Sequence, residues 1–163
     1  MRRAIFFDRD GVINPLVPRP DGRRTSPWHV REFVLLPRVR EAFALVAPHF
    51  DTFVVTNQPH VGIDMTTDDL DDIHTYLRTE IPTITDIAYC NVPGSSHYKP
   101  HSGMVLDLLH RHSLSRAPRT HYMVGDRWKD IVCGANAGLT TVFVGTKYDR
   151  GESMIDPDYH VSD

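Results

Sequence analysis

Ile5-Phe6-Phe7-Asp8-Arg9-Asp10-Gly11-Val12-Ile13-Asn14 is the stretch from which the rest of the chain can be read. Ile5, Phe6 and Phe7 form an apolar run without polar alternation, the pattern of a strand covered on both faces in a mainly parallel sheet. The run stops in two acids, which places Asp8 and Asp10 at the strand's carboxyl end, the edge where open α/β sheets bind ligands. Residues two apart in an extended chain point to the same side, so the two carboxylates can converge on one small volume before Gly11 lets the backbone turn. Converging carboxylates repel unless a cation, a shared proton or solvent offsets the charge. A divalent metal is the natural reading, and an ordinary polar turn after a strand is its rival for the decapeptide alone.

Outward from this stretch, the segment 15–30 has four prolines between Pro15 and Pro27, Arg19, Arg23, Arg24 and little periodicity, and is expected to form a flap loop over the site. Val39, Phe43 and Val46 predict a helix that Pro48 ends. Thr52 to Thr56 reads as a second buried strand ending in polar Thr56, Asn57 and Gln58, repeating the pattern of the first. A helix is predicted from Thr67 to Arg78 on a stripe of Leu70, Ile73, His74 and Leu77; its acids lack the glycine and terminal glutamate of an EF-hand loop and read as a solvated face. Further strands are expected at Ile84–Cys90, His121–Val124 and Thr140–Val144, with helices at Gly103–His112 and Asp130–Ala137 and an edge strand at Tyr159–Val161. Alternating strands and helices imply right-handed βαβ units: an α/β, Rossmann-like three-layer sandwich with a mainly parallel central sheet and no large cap domain.

With 163 residues the chain fits one domain, 1–163. Apolar residues at 40% and charged residues at 24% exclude bulk disorder, and a net charge of −3 argues against a nucleic-acid surface. Cys90 and Cys133 are too few for a disulfide framework. The apolar run after Arg2 and Arg3 is too short for a signal peptide, and no stretch approaches the roughly 20 apolar residues of a membrane span. A cytoplasmic protein without membrane partners is expected, with a monomer favoured.

The predicted strand tips present Asp8 and Asp10, Thr56 and Asn57, and Asp126 with Asp130, while Lys99 lies in a nearby loop. A phosphoryl group in transfer carries negative charge on several oxygens and needs a metal, a cation and oriented donors on different sides. Asp8 and Asp126 can hold Mg2+ by hard oxygen ligands, Thr56 and Asn57 can donate, and Lys99 supplies a point charge. Asp130, four residues after Asp126, can face the same site.

In order and spacing, DRDGVIN (8–14), TNQ (56–58), YKP (98–100) and GDRWKD (125–130) resemble the haloacid dehalogenase superfamily of phosphohydrolases. The chain is similar to its small capless branch of heptose bisphosphate and histidinol-phosphate phosphatases. That resemblance implies a Mg2+-dependent phosphomonoesterase of carbohydrate metabolism, acting on a small phosphorylated metabolite, most simply a sugar phosphate. Asp8 would be the nucleophile that forms an aspartyl phosphate, and Asp10 the acid and then the base. The main-chain carbonyl of Asp10 would join Asp8 and Asp126 on the metal. Thr56, Asn57 and Lys99 would bind the phosphoryl oxygens, and Asp130 would support them.

The chain also departs from that branch. Heptose bisphosphate phosphatases carry a zinc loop of Cys and His, for which Cys90 and His97 alone are insufficient, so no zinc is expected. Cys90 reads as a buried strand thiol. Tyr98 stands where the family has an arginine before the lysine, and the ARG that often follows TNQ is replaced by the Gly62-Ile63-Asp64 region. Arg19, Arg23, Arg24, His60 or His97 are candidates for a replacement grip on the substrate. Two rival functions are a nucleic-acid 3'-phosphatase, which shares TNQ and the KP-x-x-GM pattern, and a catalytically silent binding protein of the same fold.

Overall fold

Phe6 sits at the centre of the molecule with no accessible surface. Its strand β1 (Ala4–Phe7) pairs in parallel with β4 (Asp51–Asn57) on one side and β6 (Tyr122–Gly125) on the other, placing Phe53 and Met123 beside it in register. The Phe6 and Phe53 rings stack at 5.0 Å. A computed structural model describes residues 2–162. Its main sheet has the order β5-β4-β1-β6-β7-β8, all parallel, with β5 spanning Ile84–Cys90, β7 Thr140–Val144 and β8 Tyr159–Val161. The chain winds outward from β1 to β5, then returns to the other side of β1. That reversal opens a crevice at the carboxyl ends of β1, β4 and β6.

Two layers of helices cover the sheet, and the alternation within the strands assigns each face. Phe6, Phe53, Val55 and Met123 pack with Met104, Val105, Leu108 and Leu109 of α3 (Gly103–Arg111) and Cys133 of α4 (Trp128–Asn136). On the opposite face Val54 joins Ile13, Phe33, Phe43 of α1 (Val39–Val46) and Leu70, Ile73 and Leu77 of α2 (Thr67–Glu80). Truncating Phe6 or Phe53 to Ala would cost roughly 3–5 kcal/mol. Helix α2 starts where Thr66 accepts a hydrogen bond from the Asp69 amide at 3.1 Å while the Asp69 carboxylate takes the Thr66 amide at 2.9 Å. This reciprocal cap contributes about 1 kcal/mol and explains acids in the first turn without calcium.

Three local differences from the sequence reading have plain causes. Helix α4 begins at Trp128, two residues before the expected Asp130, because Asp130 sits in the first turn with its carboxylate on the Arg127 amide at 3.0 Å. Within 15–30 the strands β2 (Val17–Pro18) and β3 (Arg24–Thr25) form an antiparallel ladder, too short to leave a periodic signal. A 3-10 turn at Val30–Glu32 follows, held by the Glu32 carboxylate on the Trp28 amide at 2.8 Å. No helix among the described residues is long and apolar enough to cross a membrane.

Candidate active site

β1 carries Asp8 and Asp10 into the crevice, and the Asp8 amide extends the β1–β6 ladder by donating to the Val124 carbonyl at 2.9 Å. Asp126 follows β6, and Asp130 lies in the first turn of α4. Two glycines make this convergence possible. Gly11, at φ +95°, lies so near Asp126 that a Cβ there would fall 2.1 Å from its Oδ2, and a Cβ on Gly125 would fall 2.1 Å from the Asp130 Cβ. Oxygens of Asp8, Asp126 and Asp130 thus come within 4.8 Å of one another.

Lys99 reaches this trio from the loop after β5. Its ammonium donates to Asp8 Oδ1 at 2.7 Å, Asp130 Oδ1 at 2.6 Å and the Val55 carbonyl at 2.9 Å, with 2% of the residue exposed. The Asn57 amide holds the lysine from behind: Nδ2 donates to the Lys99 carbonyl and Oδ1 accepts from the Lys99 amide, both at 2.9 Å. Burial works against the ammonium, but Asp130 and Asp8 outweigh it and hold Lys99 above its ordinary range.

The balance of charge is the distinctive feature here. Three clustered carboxylates have one ammonium among them, paired with Asp8 and Asp130, an excess of two negative charges when all are ionised. Burial first, then the charge of Asp130, pushes Asp8 up to about 8 even though Lys99 opposes the shift. Burial and Asp130 likewise push Asp126 up to about 6. The Asp126 Oδ1 is buried with no hydrogen-bond partner. A set of hard oxygens, one of them unpartnered and all short of positive charge, fits a small divalent cation.

A cavity of about 160 Å³ opens above these groups, lined among others by Asp8, Asp10, Asn57, Lys99 and Asp130. Leu16, Arg24, Thr25 and Ser26 of the 15–30 segment form one wall, and His60, Tyr98, Arg127 and Lys129 complete the rim. Of the residues proposed as a substrate grip, the structure brings Arg24 and His60 to the cavity. It engages the other three elsewhere. Arg19 lies over the Trp28 ring at 3.6 Å and forms a two-pronged pair with Glu32, bracing the segment internally. Arg23 pairs with Asp21 at 2.6 Å and His97 with Asp107 at 2.8 Å, both on exposed surface.

Thr56 is buried and turned toward its neighbours, accepting from Gln58 Nε2 at 2.8 Å with its hydroxyl 3.5 Å from Asp10. Asn57 spends its side-chain amide on Lys99. Arg127 and Lys129 escaped the sequence reading as rim residues, although both lie in GDRWKD. Cys90 is buried with Sγ 3.2 Å from Ser95 Oγ.

Residues 97–163 match the HAD-hydrolase-like family model. The D-glycero-D-manno-heptose-1,7-bisphosphate 7-phosphatase of Chlorobaculum tepidum is 31% identical, over 99% of this chain and 89% of that protein. The D-glycero-alpha-D-manno-heptose-1,7-bisphosphate 7-phosphatase of Mycobacterium tuberculosis is 34% identical, over 82% of this chain and 72% of that protein. Among solved structures, the D,D-heptose 1,7-bisphosphate phosphatase of B. bronchiseptica, crystallised with magnesium and phosphate, superposes with a TM-score of 0.74 at 26% identity, covering 88% of this chain and 80% of that one. Full-length identity above 30% and a shared architecture lead to one conclusion: the chain belongs to the haloacid dehalogenase superfamily of phosphatases, on the branch that holds the heptose bisphosphate phosphatases.

Proposed function

We propose that this protein is a Mg2+-dependent phosphomonoesterase that hydrolyses a small sugar phosphate through an aspartyl phosphate on Asp8. The observation that carries the reading is the excess of negative charge at the base of the cavity, where Asp8, Asp126 and Asp130 surround the single Lys99 ammonium. An acid cluster of this kind is costly in an empty fold and is matched by a divalent cation, which can in turn hold a substrate phosphate.

Asp8 and Asp126, with the main-chain carbonyl of Asp10, would hold Mg2+. When bound, the ion neutralises charge on the transferring phosphoryl group. Asp8 attacks phosphorus; as that bond forms, the bond to the ester oxygen breaks, and Asp10 gives its proton to the departing alcohol. Water then attacks phosphorus, the Asp10 carboxylate takes its proton, and the bond to Asp8 breaks, returning Asp8 as a carboxylate and Asp10 as a carboxylic acid and releasing inorganic phosphate. Lys99 and Thr56 serve the phosphoryl oxygens. Asp130 fixes the Lys99 ammonium, and Asn57 fixes its main chain. Residues 1–163 act as one catalytic domain, with 15–30 as its flap.

The curated relatives are heptose bisphosphate phosphatases, and a sugar carrying a second anionic group suits this rim. Arg24 and Arg127 have no carboxylate partner among the described residues, and Lys129 lies near the Trp128 ring, leaving all three free to meet the distal end. They would replace the arginines absent at Tyr98 and after TNQ. Phosphate release across sugar monophosphates, sugar bisphosphates, histidinol phosphate and 3'-phosphorylated oligonucleotides, with Mg2+ or EDTA, tests the reading. Mg2+-dependent turnover of a sugar phosphate that is lost in Asp8→Asn is expected. Turnover of the oligonucleotides alone, or none by folded protein, would overturn it.

A further inference from the structure

Asp10 is surrounded by donors, whereas Asp8 and Asp126 are surrounded by acids. Its Oδ1 accepts from Arg9 Nη2 at 3.1 Å, Arg9 Nε at 3.3 Å and Asn14 Nδ2 at 3.0 Å. Its Oδ2 accepts from Gln58 Nε2 at 2.7 Å and Arg9 Nη2 at 3.2 Å. The arginine is itself wholly inside the protein, at 0% exposure. Behind it, Nη1 lies 3.2 Å from His74 Nε2, and the Phe33 ring centre lies 5.7 Å from the guanidinium carbon. A guanidinium only donates, so His74 accepts at Nε2 and carries its proton on Nδ1. Burial and the charge of Arg9 push this imidazole down to about 3, which keeps it neutral.

Such an arrangement is expensive in folding terms. Arginine is almost never fully buried, and a buried ion pair rarely outperforms apolar packing of the same volume. The amide oxygens of Asn14 and Gln58 are buried without partners, a cost to folding, because both amides turn their nitrogens to Asp10. Only Gln58 also touches a phosphate-binding group, donating to the Thr56 hydroxyl at 2.8 Å. Every member converges on one carboxyl.

We propose that Arg9 and His74 are positioning residues for proton transfer: His74 fixes Arg9, and Arg9 with Asn14 and Gln58 fixes the Asp10 carboxyl toward the ester oxygen. The inference rests on the acid–base reading of Asp10 given above. It extends the reaction machinery from the cavity wall into helix α2, none of whose residues lines the cavity. During transfer the proton passes from Asp10 to the ester oxygen as that oxygen's bond to phosphorus breaks; the cradle supplies geometry alone.

The test compares kcat/KM, which reports steps through departure of the alcohol, for glycerol 2-phosphate and p-nitrophenyl phosphate. The first leaving group needs a proton and the second scarcely does. Asp10→Asn is expected to lose about 10²–10⁴-fold on glycerol 2-phosphate and far less on p-nitrophenyl phosphate. His74→Leu should show the same skew on a smaller scale, about 10-fold or more against less than about 3-fold, with His74→Gln recovering most of it by restoring an acceptor. Gln58→Leu repeats the test without disturbing α2. Equal losses on both esters, or none, in folded His74→Leu and Gln58→Leu while Asp10→Asn keeps its skew would overturn the cradle alone. Absence of skew in Asp10→Asn would overturn the acid–base reading and the cradle with it.

Discussion

Two charged clusters in this molecule have opposite balances. At the carboxyl ends of β1 and β6, three acids cluster beside one ammonium, Lys99, which pairs with Asp8 and Asp130. On the edge strand β5, Asp86 alone is shared by three bases: Arg78 of α2 at 3.1 Å, and Arg111 and His112 at the end of α3, each at 3.0 Å. Their effects on the acids are also opposite. At the site, burial and like charges raise Asp8 and Asp126. At the edge, burial would raise Asp86, but bonds from His112, the Ile87 amide, Arg111 and Arg78 outweigh it and hold the carboxyl below its usual range. Asp86 therefore works as a clasp joining the helices of the two faces across a sheet edge. The Lys99 cluster makes no sense as a clasp, because removing one of its acids would improve the balance. Its charge deficit is a property of a site awaiting ligands.

The comparison can be broken most severely at Lys99. Lys99→Met leaves the acids without their cation and should lower kcat by on the order of 10²–10³-fold in steady-state phosphate release with saturating Mg2+. Activity near wild type would mean that the ammonium is only structural filler.

A second test uses the signs of the pKa shifts. Asp8 and Asp126 have folded values raised to about 8 and about 6, so their stabilising contribution is complete below the unfolded value and is lost as pH rises through those values. In EDTA the thermal midpoint should therefore fall from about pH 4 to pH 8, and Mg2+ should raise the midpoint more at pH 8 than at pH 5. For Asp86 the sign reverses: its contribution is present above the unfolded carboxylate value and is lost as pH falls toward the folded one. Asp86→Asn should accordingly flatten the acid limb of the stability curve and leave the Mg2+ effect intact.

The smallest effect is the clasp's own worth. Its pairs are partly solvated, so Asp86→Asn at neutral pH should lower the midpoint by only about 2–4 °C, corresponding to roughly 1 kcal/mol. Phosphate release should stay within about twofold of wild type. A large activity loss would show that the clasp reaches the site through β5 and Lys99.

Much of this architecture was legible because its causes are local. Unalternated apolar runs at 5–7 and 52–56 are buried strands, and the polar residues that end them mark one edge of the sheet. Phe43, Leu70, Ile73 and Leu77 recur at helical spacing and lie inward. What stayed hidden depends on distance in sequence. His74 looks like any member of its stripe until the fold brings Arg9, 65 residues away, against its ring. Arg9 lies between two candidate site acids, and no local pattern marks it as the wholly enclosed residue it is. Asn57 has the chemistry of a phosphate donor, and its partner proves to be the main chain of Lys99, 42 residues on. The β2–β3 ladder is two residues long, below any period that a pattern can express.

The central claim is that the acid cluster exists to carry covalent phosphoryl transfer on Asp8. Its most direct test is rapid acid quenching of protein during turnover with Mg2+, followed by peptide mass spectrometry. A phosphoryl group on the peptide containing Asp8, absent when Mg2+ is withheld and absent in Asp8→Asn, is the predicted result. Active turnover with no phosphoryl group on that peptide, or with Asp8→Asn as active as wild type, would contradict the account.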